Sequence, residues 1–338
     1  MKYDITFHPK WWYKNADIHF TREFFDDPEY RMDCDVKMRK ALYEHFGKYG
    51  IGEKNPEKRP LLGSDYLAAG YLYSQLMGCE IIYEEDNSPQ VVCMGRDEES
   101  IDDIKAPNLD ESLIWQATQK QIDYLMEKYS RVESYVNLQG IQNIAMDIMG
   151  QELFMAYYSS PDEVEVLLDE ITKLTLDVSK RLQAVSPRLS GGVTAIVEKT
   201  MPDIYLTSNC SVEMISNDLY EEFLLPKDQI LAKEFPEFGV HHCGQTMEHV
   251  VDGYSKIPEL KFAEVGAGSD IQTVREKLPN VFLNARYSPA RLMNATKEEV
   301  AAEVQALAKY GDSISCVGID ASITDEQVIN FLEVCSNL

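Results

Sequence analysis

A chain of 338 residues is long enough for one large α/β barrel or two ordinary domains. Its 44% hydrophobic and 26% charged residues are the proportions of a soluble globular protein with a sizeable core. A formal net charge of −25 repels phosphate backbones and anionic lipid, so neither nucleic acid nor a membrane surface is an expected partner. No run approaches 18 apolar residues and Met1–Ile5 is not apolar, which predicts no membrane span, no signal peptide and a cytoplasmic location. Seven scattered cysteines, at 34, 79, 93, 210, 243, 316 and 335, read as reduced thiols and not as a disulfide framework.

The first 63 residues are rich in aromatics, among them Phe7, Trp11, Trp12, Phe24 and Phe25. They read as an N-terminal extension packing on a domain that spans 64–338. Such a cluster is either a cap over a pocket or a satellite of the core, and the core is the default. A helix is expected over 33–46, stopped at Gly47, and another over 65–77, stopped at Gly78. From there strands and helices alternate. Strands are expected at 80–83, 135–140, 192–197 and 204–206, with helices over 108–131, 141–149, 161–185 and 217–234. In the helix from 161, Ser160 is the cap, Pro161 opens the first turn and Glu163 stands at the third position. The C-terminal third repeats the rhythm, with strands at 238–242, 260–265, 281–284 and 313–317 and helices after each. This alternation implies a parallel sheet. About eight units fit, so a (β/α)8 TIM barrel is the expected fold, with an open doubly wound sheet second. No glycine-rich phosphate fingerprint follows a strand.

Gly239-Val240-His241-His242-Cys243-Gly244 carries the densest chemistry. Thiolate beside imidazole suits zinc. On a strand His241 and Cys243 share a face and His242 points away. A third ligand must come from elsewhere. Cys316, at the end of another apolar segment, is the preferred candidate and Cys210 a weaker one. Three protein ligands with an open fourth position form a catalytic site. The competing reading makes each cysteine a small buried hydrophobe. In a barrel, chemistry sits at the carboxyl ends of the strands. His241, Glu264, Asn284, Arg286 and Cys316 all fall at such ends. Glu264 is a candidate labile fourth ligand or a partner of neighbouring backbone. Arg286 either holds an anionic group or forms a structural ion pair. Gln139 and Asn143 either line the pocket or satisfy loop backbone.

With these residues in hand, the chain resembles the uroporphyrinogen decarboxylase superfamily, and within it the zinc-dependent cobamide methyltransferases. The resemblance runs from about Asp65 to the end. His241-His242-Cys243-Gly244 is similar to the His-x-Cys-Gly motif of the methyltransferase branch. Tyr220–Pro226, Asn284–Leu292 and Ser315–Ile319 resemble further family segments, the last carrying the second cysteine of methyltransferases. The arginine-rich N-terminal segment of decarboxylases is replaced here by Pro9-Lys10-Trp11-Trp12-Tyr13-Lys14-Asn15. The resemblance implies Zn2+ on His241, Cys243 and Cys316, with Glu264 and Arg286 acting on the substrate. Gln139, Asn143 and Asn284 would contact a cofactor. It implies methyl transfer between a cobamide (corrinoid) carried by a partner protein and a thiol or similar acceptor, in a homodimer. Two other functions stay open, decarboxylation of an acidic tetrapyrrole without metal and non-catalytic tetrapyrrole or corrinoid binding.

Overall fold

The start of the chain pairs with its end. A computed structural model describes residues 1–338, the side chains of Glu99 and Asp102 excepted. Its strands are β1 (Lys2–Phe7), β2 (Leu61–Gly63), β3 (Glu80–Ile82), β4 (Gln90–Val92), β5 (Glu133–Tyr135), β6 (Tyr205–Ser208), β7 (Phe238–His241), β8 (Leu260–Val265), β9 (Phe282–Tyr287) and β10 (Ser313–Ile319). Six form one parallel sheet in the order β1-β10-β9-β8-β7-β6. β2 and β5 form a parallel pair, and a bridge from Gln139 to Ser208 continues the wall from β6 toward that pair. First strand beside last is an order that barrels have and doubly wound sheets lack, and the six-stranded sheet is a parallel half-barrel. Helices follow the strands and cover the outside, as short parallel crossovers require.

Three expectations change. Residues 1–63 are not an appendage, because β1 is a strand of the sheet itself, in register with β10 from Lys2 opposite Ser313. The aromatics of this region are core: Phe7 stacks on Trp11 at 4.0 Å between centroids, and Trp11 and Trp12 are buried. The segment 80–83 is no barrel strand. It pairs antiparallel with β4 as a hairpin off the wall. Residues 192–197 are not a strand either. Ser190–Gly192 forms a 3-10 turn and Ile196–Thr200 a short helix. The backbone of Gly192 lies so close to β5 that a Cβ there would meet the Tyr135 carbonyl oxygen at 2.0 Å. That proximity suits a glycine turn better than an apolar strand.

Elsewhere local chemistry and structure agree. The helices Ile141–Met149 and Pro161–Val185 appear as expected. Thr296 and Thr324 cap Lys297–Ala308 and Asp325–Ser336 with reciprocal bonds to Glu299 and Gln327. Among the described residues no helix is long and apolar enough to cross a membrane.

Register places one layer of inward-facing polar residues around the wall. Gln139 aligns with Ser208, Ser208 with His241, His241 with Glu264, Glu264 with Asn284, and Asn284 with Ser313. Side chains alternate between faces along a strand. The next inward layer therefore lies two residues further toward the carboxyl ends.

Candidate metal centre

Cys210 and Cys243, at that next level, meet the imidazole of His241 from the layer below. Their ligand atoms all lie within 4.8 Å of one another. They form part of the lining of a cavity of about 610 Å3, together with Gln139, Asn143, Asp147, Arg286 and Val317.

The loops that deliver the two thiols are braced together. The Glu213 carboxylate accepts from the backbone N–H of Gln245 at 2.7 Å and of Thr246 at 3.2 Å. It lies over Gly244, where a Cβ would meet Glu213 Oε2 at 2.5 Å. Asn143 accepts from Ser211 N at 2.9 Å and donates to the Ser208 carbonyl at 2.6 Å, which holds the Cys210 turn. Asn209 N–H donates to the His241 carbonyl, and its side-chain amide donates to buried Asp228 at 2.8 Å.

His241 Nδ1 lies 2.6 Å from Glu264 Oε2, and Glu264 is completely buried. With Nδ1 committed to the carboxylate, Nε2 remains for a metal, the carboxylate–histidine arrangement found behind metal ligands. Arg286 Nε lies 3.4 Å from the other oxygen, Glu264 Oε1. Burial opposes charge on His241, but Glu264 and then Cys210 outweigh it and raise its pKa to about 9. Burial likewise opposes the Glu264 carboxylate, and His241 outweighs it, so the group stays below its ordinary range. A hydrogen bond from Cys243 holds Cys210 well below the usual thiol pKa, against burial and with the help of His241. Cys243 is raised correspondingly.

This donor set fits zinc: two thiolates, one imidazole oriented by a carboxylate, and a cavity on the open side.

Cys316 is not in the cluster. On β10 the inward residues are Ser313, Ser315 and Val317. Ser313 and Ser315 bond Asn284, and Val317 lines the cavity. Cys316 has the opposite parity, is fully buried among the hydrophobic core residues, and has a thiol pushed upward by burial. Cys210 takes its place. The signal was available, since Cys210 lies two residues past the inward Ser208, as Cys243 does past His241. Glu264, expected as a labile fourth ligand or a partner of neighbouring backbone, stands behind His241 with its carboxylate on Nδ1. His242 points away and bonds Tyr254 and the Thr246 carbonyl.

The three cofactor-contact candidates spend their polar atoms internally. Gln139 accepts from the N–H groups of Tyr73 and Ser74 and donates to Ser74 and Asp147. Asn143 braces the Cys210 turn. Asn284 is fully buried between Ser313 and Ser315, below the cavity. Arg286 does reach the cavity and is its one lining Arg or Lys among the described residues.

Residues 71–318 match the family described as uroporphyrinogen decarboxylase (URO-D). Among solved structures, a methyltransferase from Methanosarcina mazei superposes with a TM-score of 0.65 at 18% identity, over 98% of this chain and 91% of that one. That likeness is one of fold. No curated protein matches by sequence.

Proposed function

The chain belongs to the uroporphyrinogen decarboxylase (URO-D) family, and from that premise we propose that it is a zinc-dependent methyltransferase, moving a methyl group between a protein-bound corrinoid and a thiol. The convergence of Cys210, His241 and Cys243 on an open cavity carries this reading. These three would hold Zn2+ and leave one position for substrate. Bound zinc supplies the Lewis acidity that keeps a substrate thiol deprotonated near neutral pH. Glu264 fixes the His241 tautomer through Nδ1 and adds negative charge behind the ligand. Arg286, anchored through Nε on Glu264, presents the rest of its guanidinium to the cavity and suits an anionic group on the acceptor. The corrinoid would enter from the cavity mouth on its own carrier protein.

Decarboxylation of a polycarboxylate tetrapyrrole suits this cavity poorly. One lining arginine does not match several carboxylates, and that reaction needs no thiol pair. The test is zinc content of the purified protein beside Cys210→Ala, Cys243→Ala and Cys316→Ala, followed by methylcobalamin demethylation with thiols. About one zinc per chain, lost in the first two variants and kept in the third, is expected. Absence of zinc from protein prepared without chelator overturns the mechanism. Zinc retained in Cys210→Ala but lost in Cys316→Ala overturns the ligand set.

A further inference from the structure

We propose that Cys79 and Cys93 are a disulfide-forming pair across the foot of the β3–β4 hairpin, open to oxidation by low-molecular-weight disulfides. The hairpin register pairs Glu80 with Val92, Ile81 with Val91 and Ile82 with Gln90. Continued one step beyond the ladder, that register sets Cys79 opposite Cys93. Directly opposed residues of an antiparallel pair point to the same face with Cα atoms about 4.5–5.5 Å apart, inside the range a disulfide spans. Side-chain contacts agree with the register. The Cys79 thiol donates to the Asp147 carbonyl at 3.6 Å, and Met94 N–H, next to Cys93, donates to that same oxygen at 3.0 Å. The Cys93 thiol approaches the carbonyls on either side, Met146 at 3.8 Å and Ile148 at 4.0 Å. Both sulfurs therefore sit against one end of the helix Ile141–Met149.

Their exposures differ in a useful way. Cys93 is exposed and Cys79 buried. The Cys93 thiolate attacks one sulfur of a small disulfide, releases one thiol and leaves a mixed disulfide. Cys79 loses its proton and attacks the Cys93 sulfur, closing the intramolecular bond and releasing the second thiol. Two protein thiols are oxidised and one small disulfide is reduced to two thiols. Burial pushes the Cys79 thiol up to about 12, so closure is the slow step and speeds up with rising pH.

The bond would tie the hairpin at its root. At its other end Pro89, Gln90 and Val91 border the metal-centre cavity, and Asp147, whose carbonyl accepts from the Cys79 thiol, lines it. The pair belongs to no step of the proposed methyl transfer and stands independently of it.

The experiment incubates zinc-loaded protein with glutathione disulfide, blocks remaining thiols with an alkylating agent, and digests with a protease that cuts after glutamate. Cleavage at Glu84 and Glu85 separates the two cysteines. The expected result is a linked peptide pair lighter by two hydrogens, reversed by dithiothreitol and absent in Cys79→Ala and Cys93→Ala. Cys93→Ala should also leave position 79 unmodified. Accumulation of glutathionylated Cys93 without the link, at pH 7 and at pH 9, overturns the proposal. So does alkylation of both thiols at every ratio of oxidised to reduced glutathione.

Discussion

Replacing Glu264 by Gln isolates the contribution of charge behind the metal ligand. Gln has the same shape, and its carbonyl oxygen still accepts from His241 Nδ1, so the tautomer that exposes Nε2 persists. Its negative charge is lost. In the native site that charge lies 2.6 Å from the imidazole and is fully shielded from water, where such an interaction counts most. Removing an outer carboxylate from a metal-bound histidine typically costs 10–100-fold in metal affinity, about 1.4–2.7 kcal/mol. The upper part of that range is expected, because Arg286 also loses its carboxylate neighbour at 3.4 Å and the new amide directs N–H groups toward it. Competition against a chromophoric zinc chelator at fixed pH reads the affinity directly. Urea unfolding of the metal-free proteins separates it from stability. An affinity within about threefold of the native protein would refute the outer-carboxylate role. A loss beyond about a thousandfold would instead make Glu264 a direct ligand.

Arg286→Gln should raise KM for an anionic thiol about 10–150-fold, the worth of a charge-assisted hydrogen bond of about 1.5–3 kcal/mol, with little change in kcat; steady-state kinetics with charged and neutral thiols of equal length checks it. Gly244→Ala places a methyl 2.5 Å from Glu213 Oε2. It should dislodge the brace between the two cysteine loops and weaken zinc in the same chelator competition, whereas Glu213→Ala with Gly244→Ala should cost little more than either alone. Asp228→Asn tests a buried acid. Burial raises Asp228 from its ordinary 3.8 to about 6, against bonds from Tyr220 and Asn209. A raised carboxyl contributes stability that is full below pH 3.8 and lost as pH climbs through 6, about 3 kcal/mol at 1.4 kcal/mol per unit. Asn removes that loss, so the variant should gain on the native protein between pH 4 and pH 7 in urea unfolding. An equal difference at both pH values would contradict the assignment.

How far the site could be read from residues alone turned on parity. His241 and Cys243 were legible because they lie two apart beside a glycine, and both reach the cavity. Cys316 also ends an apolar strand, but it lies outside the Cys-His-Cys group because its neighbours Ser315 and Val317 are the inward residues. Parity within a strand is invisible until one residue is anchored, and on β10 the anchor is the bond between Ser315 and Asn284 on the neighbouring strand. The fold was legible where caps and glycine stops punctuated long periodic runs. It was missed at β1, whose six residues hide before an aromatic cluster, and at 192–197. There an apolar run reads the same whether it forms a strand or the buried helical turn actually present.

Placing the proposed third ligand at the end of β6 instead of on β10 changes what the cavity offers a substrate. β6 and β7 are adjacent and in register, so Cys210, His241 and Cys243 all come from one side of the barrel mouth. Beyond β8, the strands β9 and β10 carry no ligand of the proposed set and present Arg286 and Val317 to the cavity, with Arg286 in register with Ser315. A ligand set drawn from both walls would pin the metal across the mouth and divide the space. The proposed set, drawn from one side, would leave the cavity undivided, with zinc and a single fixed cation, Arg286, flanking the same buried carboxylate of Glu264. That arrangement favours an acceptor that is short, anionic at one end and thiol-bearing at the other. It also leaves the mouth open to a second, larger reactant approaching from outside.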